Sequence, residues 1–197
     1  MEIMEKETIK NIMRFLENEE NKTSFKWKLL NDEPFTEEEL NIKGTLDLDD
    51  TEIRTLPKGL KVGGDLNLYR SKITSLPDDL HIGGGLELQN SKIKSLPKGL
   101  KIGWSLNLVD TVIEELPEDI EVGCNFTLDG SKIKSLPENL EVSCNLNLNN
   151  CPIRLLPKGL KVWYNLYIAD SPLAKLSDEA LLNMIKPDGF IKGKIFR

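Results

Sequence analysis

Few residues in this chain have the chemistry for catalysis. It carries one histidine, His81, and three cysteines, Cys124, Cys144 and Cys151. A Ser/His or Cys/His nucleophile pair would have to use His81, which is read on a turn beside Asp78 and Asp79, far from every cysteine. No HExxH, Walker or GxSxG pattern occurs. The cysteines form no CxxC pair, the spacing that a structural zinc site commonly uses. Gly83 to Gly85 is a corner and not a phosphate loop, because no helix pattern follows it. Carboxylates abound, but nothing in the sequence gathers them around a cleft. The chain is therefore read as non-enzymatic, with no catalytic residue, cofactor or metal.

Composition points instead to binding. The 197 residues are 39% hydrophobic and 29% charged, with 32 acidic against 26 basic side chains and a net charge of −6. That is enough apolar material for a sizeable core, and the acidic balance opposes phosphate-backbone binding. Neither a secretory signal nor a membrane-spanning run is visible. A cytoplasmic location is expected, although a protein delivered into a host cell by a dedicated secretion machine would look the same. The cysteines are read as reduced thiols. Cys124 and Cys144 should be neighbours, close enough for a disulfide, with two small corner-filling residues as the simpler account.

The elements that position these residues follow from an internal repeat. From Gly44 the chain repeats every 20 residues without insertion, in copies such as GDLNLYRSKITSLPDDLHIG and GGLELQNSKIKSLPKGLKIG, with a degenerate seventh. A constant period makes each repeat one coil of a solenoid. Leu86 and Leu88 alternate as a strand does, and stacking such pairs roughly 4.8 Å apart makes a parallel sheet. Pro57, Pro77, Pro97, Pro117, Pro137 and Pro157 mark the other side, where the missing N–H and fixed φ exclude a central strand or a helix interior. Two residues later stand Gly59, Asp79, Gly99, Asp119, Asn139 and Gly159, all types that enter left-handed geometry, so a positive φ is expected at each.

One coil cannot fold alone. About six buried Leu, Ile or Val, each contributing roughly 1.5–3 kcal/mol, face a backbone ordering cost of about 1–2 kcal/mol per residue over the coil. The stack therefore needs caps. Residues 1–43 are read as a helical N-terminal cap, with Ile9, Ile12, Met13 and Leu16 on one face of a helix over 5–18. Thr36 with Glu39 has the spacing of a capping box, and Phe35 with Leu40 that of a hydrophobic staple. Residues 44–176 hold the seven repeats. Residues 177–197 form a C-terminal cap, a helix starting at Ser177 and an extended piece from Phe190 to Phe196.

The frame L-x-L-x-x-[STC]-x-I-x-x-L-P resembles a leucine-rich repeat over about residues 44–176. Its Leu-Pro step is similar to the short repeats of bacterial effectors, and its Gly-Gly corner to repeats of bacterial and phage proteins. The resemblance implies a right-handed coil with one parallel sheet, an irregular opposite side, and a role in protein–protein interaction as adaptor, inhibitor or effector. The family's ladder asparagine is replaced here by Thr51, Ser71, Ser91, Thr111, Ser131, Cys151 and Ser171. The alternation Leu60, Val62, Gly64, Leu66, Leu68 also suits a second strand before the corner, so a flatter two-sheet parallel β-solenoid is the alternative.

The residues flanking each L-x-L set the candidate binding face: Asp47, Asp49, Asp65, Asn67, Tyr69, Arg70, Glu87, Asn107, Asp129, Asn147 and Tyr167. With Asp50, Asp110 and Asp170 the face carries eight acidic residues against one basic. The expected partner is a protein with a basic surface, met by shape and charge complementarity with Tyr69 and Tyr167 as anchors. Nucleic acid and membrane are not expected, and the chain is read as a monomer. The plainer reading is that Asp and Asn keep the sheet soluble and stack in ladders. A basic row from Arg54 to Arg154 is interrupted by Glu114 and lacks interleaved aromatics, so it reads as a solvated edge. Trp104, Trp163 and Tyr164 replace small corner residues, either as hot-spot types or as packing for the C-terminal cap. The alternative function is a structural component of a larger assembly.

Overall fold

The computed structural model describes residues 24–197, and the helix expected over 5–18 lies outside them. The chain divides into two units, the residues up to Glu39 and Leu40–Arg197. In the first, Ser24 caps helix α1 (Phe25–Leu30), its hydroxyl accepting the Trp27 N–H at 3.2 Å. Thr36 and Glu39 make the reciprocal bonds of a capping box, at 2.9 and 3.3 Å. A turn follows, and no helix. The reason is that Leu40 and Ile42 alternate rather than recur at helical spacing, and the chain enters a strand at Asn41. Lys28 Nζ lies 2.6 Å from Glu39, and this bond with the Thr36 N–H holds the Glu39 carboxyl below its ordinary range.

The second unit is a parallel β-solenoid with two eight-stranded sheets. The first sheet stacks Asn41–Ile42, Lys61–Val62, His81–Ile82, Lys101–Ile102, Glu121–Val122, Glu141–Val142, Lys161–Val162 and Phe190–Ile191. The second stacks Leu46–Asp47, Leu66–Asn67, Leu86–Glu87, Leu106–Asn107, Phe126–Thr127, Leu146–Asn147, Leu166–Tyr167 and Ile195–Phe196. The second sheet is the expected L-x-L sheet, and the first supplies the extra strand of the two-sheet alternative.

Register follows the 20-residue period, with Leu46 opposite Leu66 and Leu66 opposite Leu86. Amides of each coil bond to the next, as Leu66 N–H does to Gly85 O at 2.9 Å. Leu60, Val62, Leu66, Leu68, Ile73 and Leu76 of one coil are all buried, and the same columns are buried through most of the stack. A Cβ at Gly63 would fall 2.6 Å from the Lys43 carbonyl oxygen, which explains why glycine replaces leucine there. Side chains return to that column at Ser143 and Trp163.

Two expectations, one about the turns and one about the thiols, are corrected. Positive φ occurs at Gly59, Gly99, Asn139 and Gly159 but not at Asp79 or Asp119. Asp79 acts through its side chain instead, its Oδ2 accepting the Gly59 N–H of the preceding coil at 2.9 Å. A second left-handed column runs through Asp50, Arg70, Asn90, Asp110, Gly130, Asn150 and Asp170. There the N–H of the following Ser, Thr or Cys bonds back across the turn, as Ser71 does to Leu68 O at 3.2 Å. Thr51, Thr111 and Ser171 add a hydroxyl bond to the same carbonyl column at 2.7, 2.8 and 2.6 Å.

Cys124 and Cys144 are joined in a disulfide with Cα atoms 4.7 Å apart, so these two are not free thiols. Stacking places one column of adjacent coils at strand spacing, within disulfide reach. Cys151 is free, as expected; it is also buried, and its burial pushes the thiol pKa up.

At the C-terminal end Ser177 caps helix α2 (Asp178–Met184), accepting the Ala180 N–H at 3.2 Å. The extended piece then joins both sheets, Ile191 opposite Val162 and Ile195 opposite Leu166. It is therefore a further coil rather than a lid over the last one. His81, expected on a turn, lies on a strand with its side chain exposed.

Candidate binding face

Because Leu66 and Leu68 are fully buried, strand alternation turns Asn67 and Tyr69 outward. In-register pairing then aligns Asp47, Asn67, Glu87, Asn107, Thr127, Asn147 and Tyr167 in one column of the second sheet. Two residues on, Asp49, Tyr69, Gln89, Val109, Asp129, Asn149 and Ala169 occupy the next outward positions. These two columns hold four carboxylates and no lysine or arginine. Nine of the candidate residues thus share this face.

Asp65 and Arg70 do not. Asp65 sits at the corner, where its Oδ1 accepts the Gly85 N–H at 2.6 Å. Arg70 stands in the left-handed column at φ 54°, 5.8 Å from the Tyr69 ring centroid and 4.0 Å from Asp50.

Part of the face is committed to holding coils together. Asn67 Nδ2 donates to Asp47 at 2.9 Å, and Asn107 Nδ2 to Glu87 and Gln89 at 2.8 and 3.1 Å. The Asn67, Asn107 and Asn147 Oδ1 atoms accept the N–H two residues ahead, at 3.1, 3.2 and 3.0 Å. Asp129 accepts from Asn150 at 2.9 Å. The ladder reading is therefore correct for the amides. The partners of Asp47, Glu87 and Asp129 here are neutral amides and not cations. Tyr167 is stacked on Phe196, centroids 4.8 Å apart and planes 10° apart. A shallow groove of about 340 Å³ runs from Glu87 past Asn107, Thr127 and Asn147 to Tyr167.

A second ladder was not identified from the sequence. At the corner, Asn125 Oδ1 accepts the Asn145 N–H at 3.2 Å, Asn145 Oδ1 accepts the Asn165 N–H at 3.1 Å, and Asn165 Oδ1 accepts the Lys194 N–H at 2.9 Å. Its signal was the Asp65, Asn125, Asn145, Asn165 column itself.

The first sheet presents a different surface. Its outward column reads Asn41, Lys61, His81, Lys101, Glu121, Glu141, Lys161, with ion pairs Lys101–Glu121 at 2.7 Å and Lys161–Glu141 at 3.8 Å. The groove that includes His81 is lined by Lys101, Glu118, Glu121, Glu138 and Glu141, with no Ser, Thr or Cys beside the imidazole. In the basic row, Lys134 pairs with Glu114 and holds that carboxyl below its ordinary range. Among the described residues no group of three or more His, Cys, Asp and Glu is placed to hold a metal, and no helix is long and apolar enough to cross a membrane. No family model matches the sequence, and no curated protein matches it.

Proposed function

We propose that this protein is a non-enzymatic interaction module of leucine-rich-repeat type, an adaptor, inhibitor or effector, that docks a basic protein surface on the outward face of its second sheet. One observation carries the reading: Asp47, Asp49, Glu87 and Asp129 lie in two outward columns of a hydrogen-bonded sheet that hold no lysine or arginine, with Arg70 beside Tyr69 the one cation at their edge. Unneutralised charge of one sign steers an oppositely charged partner and suppresses wrong ones. The ladder removes much of the ordering cost that a flexible surface would bear on binding.

The test replaces Asp47, Glu87 and Asp129 by lysine and compares pull-downs from the native host's lysate at low and high salt. Wild type is expected to retain a basic protein that salt releases, and the triple variant to lose it. Retention of every captured protein by the variant at low salt overturns the reading.

The cytoplasmic expectation and the Cys124–Cys144 disulfide point to different surroundings, since disulfides persist where conditions are oxidising. Trapping free thiols at the moment of lysis separates them: one blocked thiol per chain supports delivery to an oxidising compartment, and three support residence in the cytoplasm. A structural role in an assembly is favoured by Phe190–Ile191 and Ile195–Phe196, which form the outermost strands of both sheets with Phe196 exposed. Concentration-dependent sedimentation supports that role, and a monomer at every concentration opposes it.

A further inference from the structure

The corner that joins the two sheets changes character along the stack. In the four coils from Gly103 to Asn165 it reads Gly-Trp-Ser, Gly-Cys-Asn, Ser-Cys-Asn and Trp-Tyr-Asn, with no charged residue in a chain that is 29% charged, and the strip ends at the last corner, Lys192-Gly193-Lys194. Where earlier coils carry Gly64 and Gly84, this strip carries Trp104, Cys124, Cys144 and Tyr164. Trp104 is 68% and Tyr164 60% exposed, the largest exposures of any aromatic side chains among the described residues. Trp163 is different: it packs edge-on against Phe190, bonds to Glu141 and lies under Lys192, so the C-terminal coil accounts for it.

Trp104 and Tyr164 stand three coil steps apart, roughly 14 Å at strand spacing. The row between them is held by the Cys124 N–H bond to Trp104 O at 2.7 Å, the Tyr164 N–H bond to Cys144 O at 3.1 Å, and the disulfide. Alongside runs the half-buried column Ser105, Asn125, Asn145, Asn165. Its Oδ1 atoms are used by the corner ladder, but Ser105 Oγ and the Nδ2 atoms of Asn125 and Asn165 make no hydrogen bond among the described residues.

We infer that this strip is a binding site for a neutral polysaccharide. The two exposed aromatic rings offer apolar platforms to the C–H faces of sugar rings. The amide and hydroxyl groups beside them supply neutral donors for sugar hydroxyls. Between Gly103 and Asn165 the strip offers no charged side chain to phosphate-rich, sulfated or uronic ligands, and at its end Lys192 is held over the Trp163 ring. A protein hot spot has one contiguous apolar centre ringed by polar groups. Here the two platforms are instead separated along a row of neutral donors, the pattern that a chain of repeating units meets.

The test is affinity electrophoresis of the full chain in native gels cast with dextran, amylose, hydroxyethylcellulose or galactomannan. Wild type is expected to be retarded by at least one of them, with Trp104→Ala and Tyr164→Ala each weakening retardation about tenfold or more. Leu155→Ala, an exposed apolar change elsewhere, should leave it unaltered. Both aromatic side chains are exposed, so unchanged circular dichroism and thermal unfolding are expected of the variants. No retardation by any of the four polymers overturns the inference. So does retardation that survives the Trp104→Ala/Tyr164→Ala double variant. Loss of retardation in the Asp47, Glu87 and Asp129 lysine variant, with the aromatic variants unaffected, assigns binding to the acidic face and also overturns it.

Discussion

The outward faces of the two sheets are built by the same coil and reach opposite electrostatic outcomes. On the first sheet, lysines and glutamates of neighbouring coils meet directly, as in Lys101–Glu121 and Lys161–Glu141. On the second, Glu87 and Asp47 meet amides, which hold them in place without cancelling their charge. A stacked column of charges thus has two ways to avoid repulsion between coils. Opposite charges on adjacent coils neutralise each other on the first sheet, whereas interleaved asparagine leaves the charges of the second sheet unneutralised.

The largest perturbation removes what both faces share. Leu106 is fully buried and stands beneath the second sheet between Leu86 and Phe126. Leu106→Ala should cost about 2–5 kcal/mol, read as a lower urea midpoint, and both faces should fail together in one transition. Two separate transitions would show that the sheets are not one cooperative core.

Next comes the amide ladder. Asn107→Ala removes the donor to Glu87 and Gln89 and the acceptor of the Val109 N–H, so it should lower stability by about 1 kcal/mol. Smaller again is the surface pair. Lys101 and Glu121 are 69% and 63% exposed, and Lys101→Met should change stability by less than about 1 kcal/mol, fading as salt rises. A larger loss for Lys101→Met than for Asn107→Ala would reverse the ranking of the two devices. The smallest effect is expected from pH. Glu114 has its folded pKa lowered by Lys134, so its contribution is present above the ordinary value of 4.5 and disappears as pH falls through the folded value. Glu114→Gln should remove that acid-side dependence in urea titrations between neutral and acid pH.

Much of this was legible in the sequence because it is written locally and repeatedly. The 20-residue step, the buried L-x-L pairs and the Ser177 cap each follow from spacing alone, and the second sheet's outward column follows from alternation. What escaped depends on the distance between coils. Whether Asp79 enters left-handed geometry or reaches the Gly59 N–H is decided by the neighbouring coil and not by its own residue type. The same holds for Cys124 and Cys144, whose column could be read while their bonding could not. Arg70 shows the converse: its column of Asp, Asn and Gly carried the signal for a left-handed turn, and the one arginine in it concealed the pattern. Likewise Asp65 belonged with the face by sequence position, yet its bond to the Gly85 N–H assigns it to the corner.

The most direct measurement sets equal charge changes on the two faces against each other. One variant carries lysine at Asp47, Glu87 and Asp129, and the other carries glutamate at Lys61, Lys101 and Lys161. Binding of the basic protein captured by wild type is then followed by titration at low and physiological salt. The first variant is expected to lose binding at both salt concentrations while the second keeps wild-type affinity within a few-fold. Equal loss in both, or loss only in the second, would contradict it.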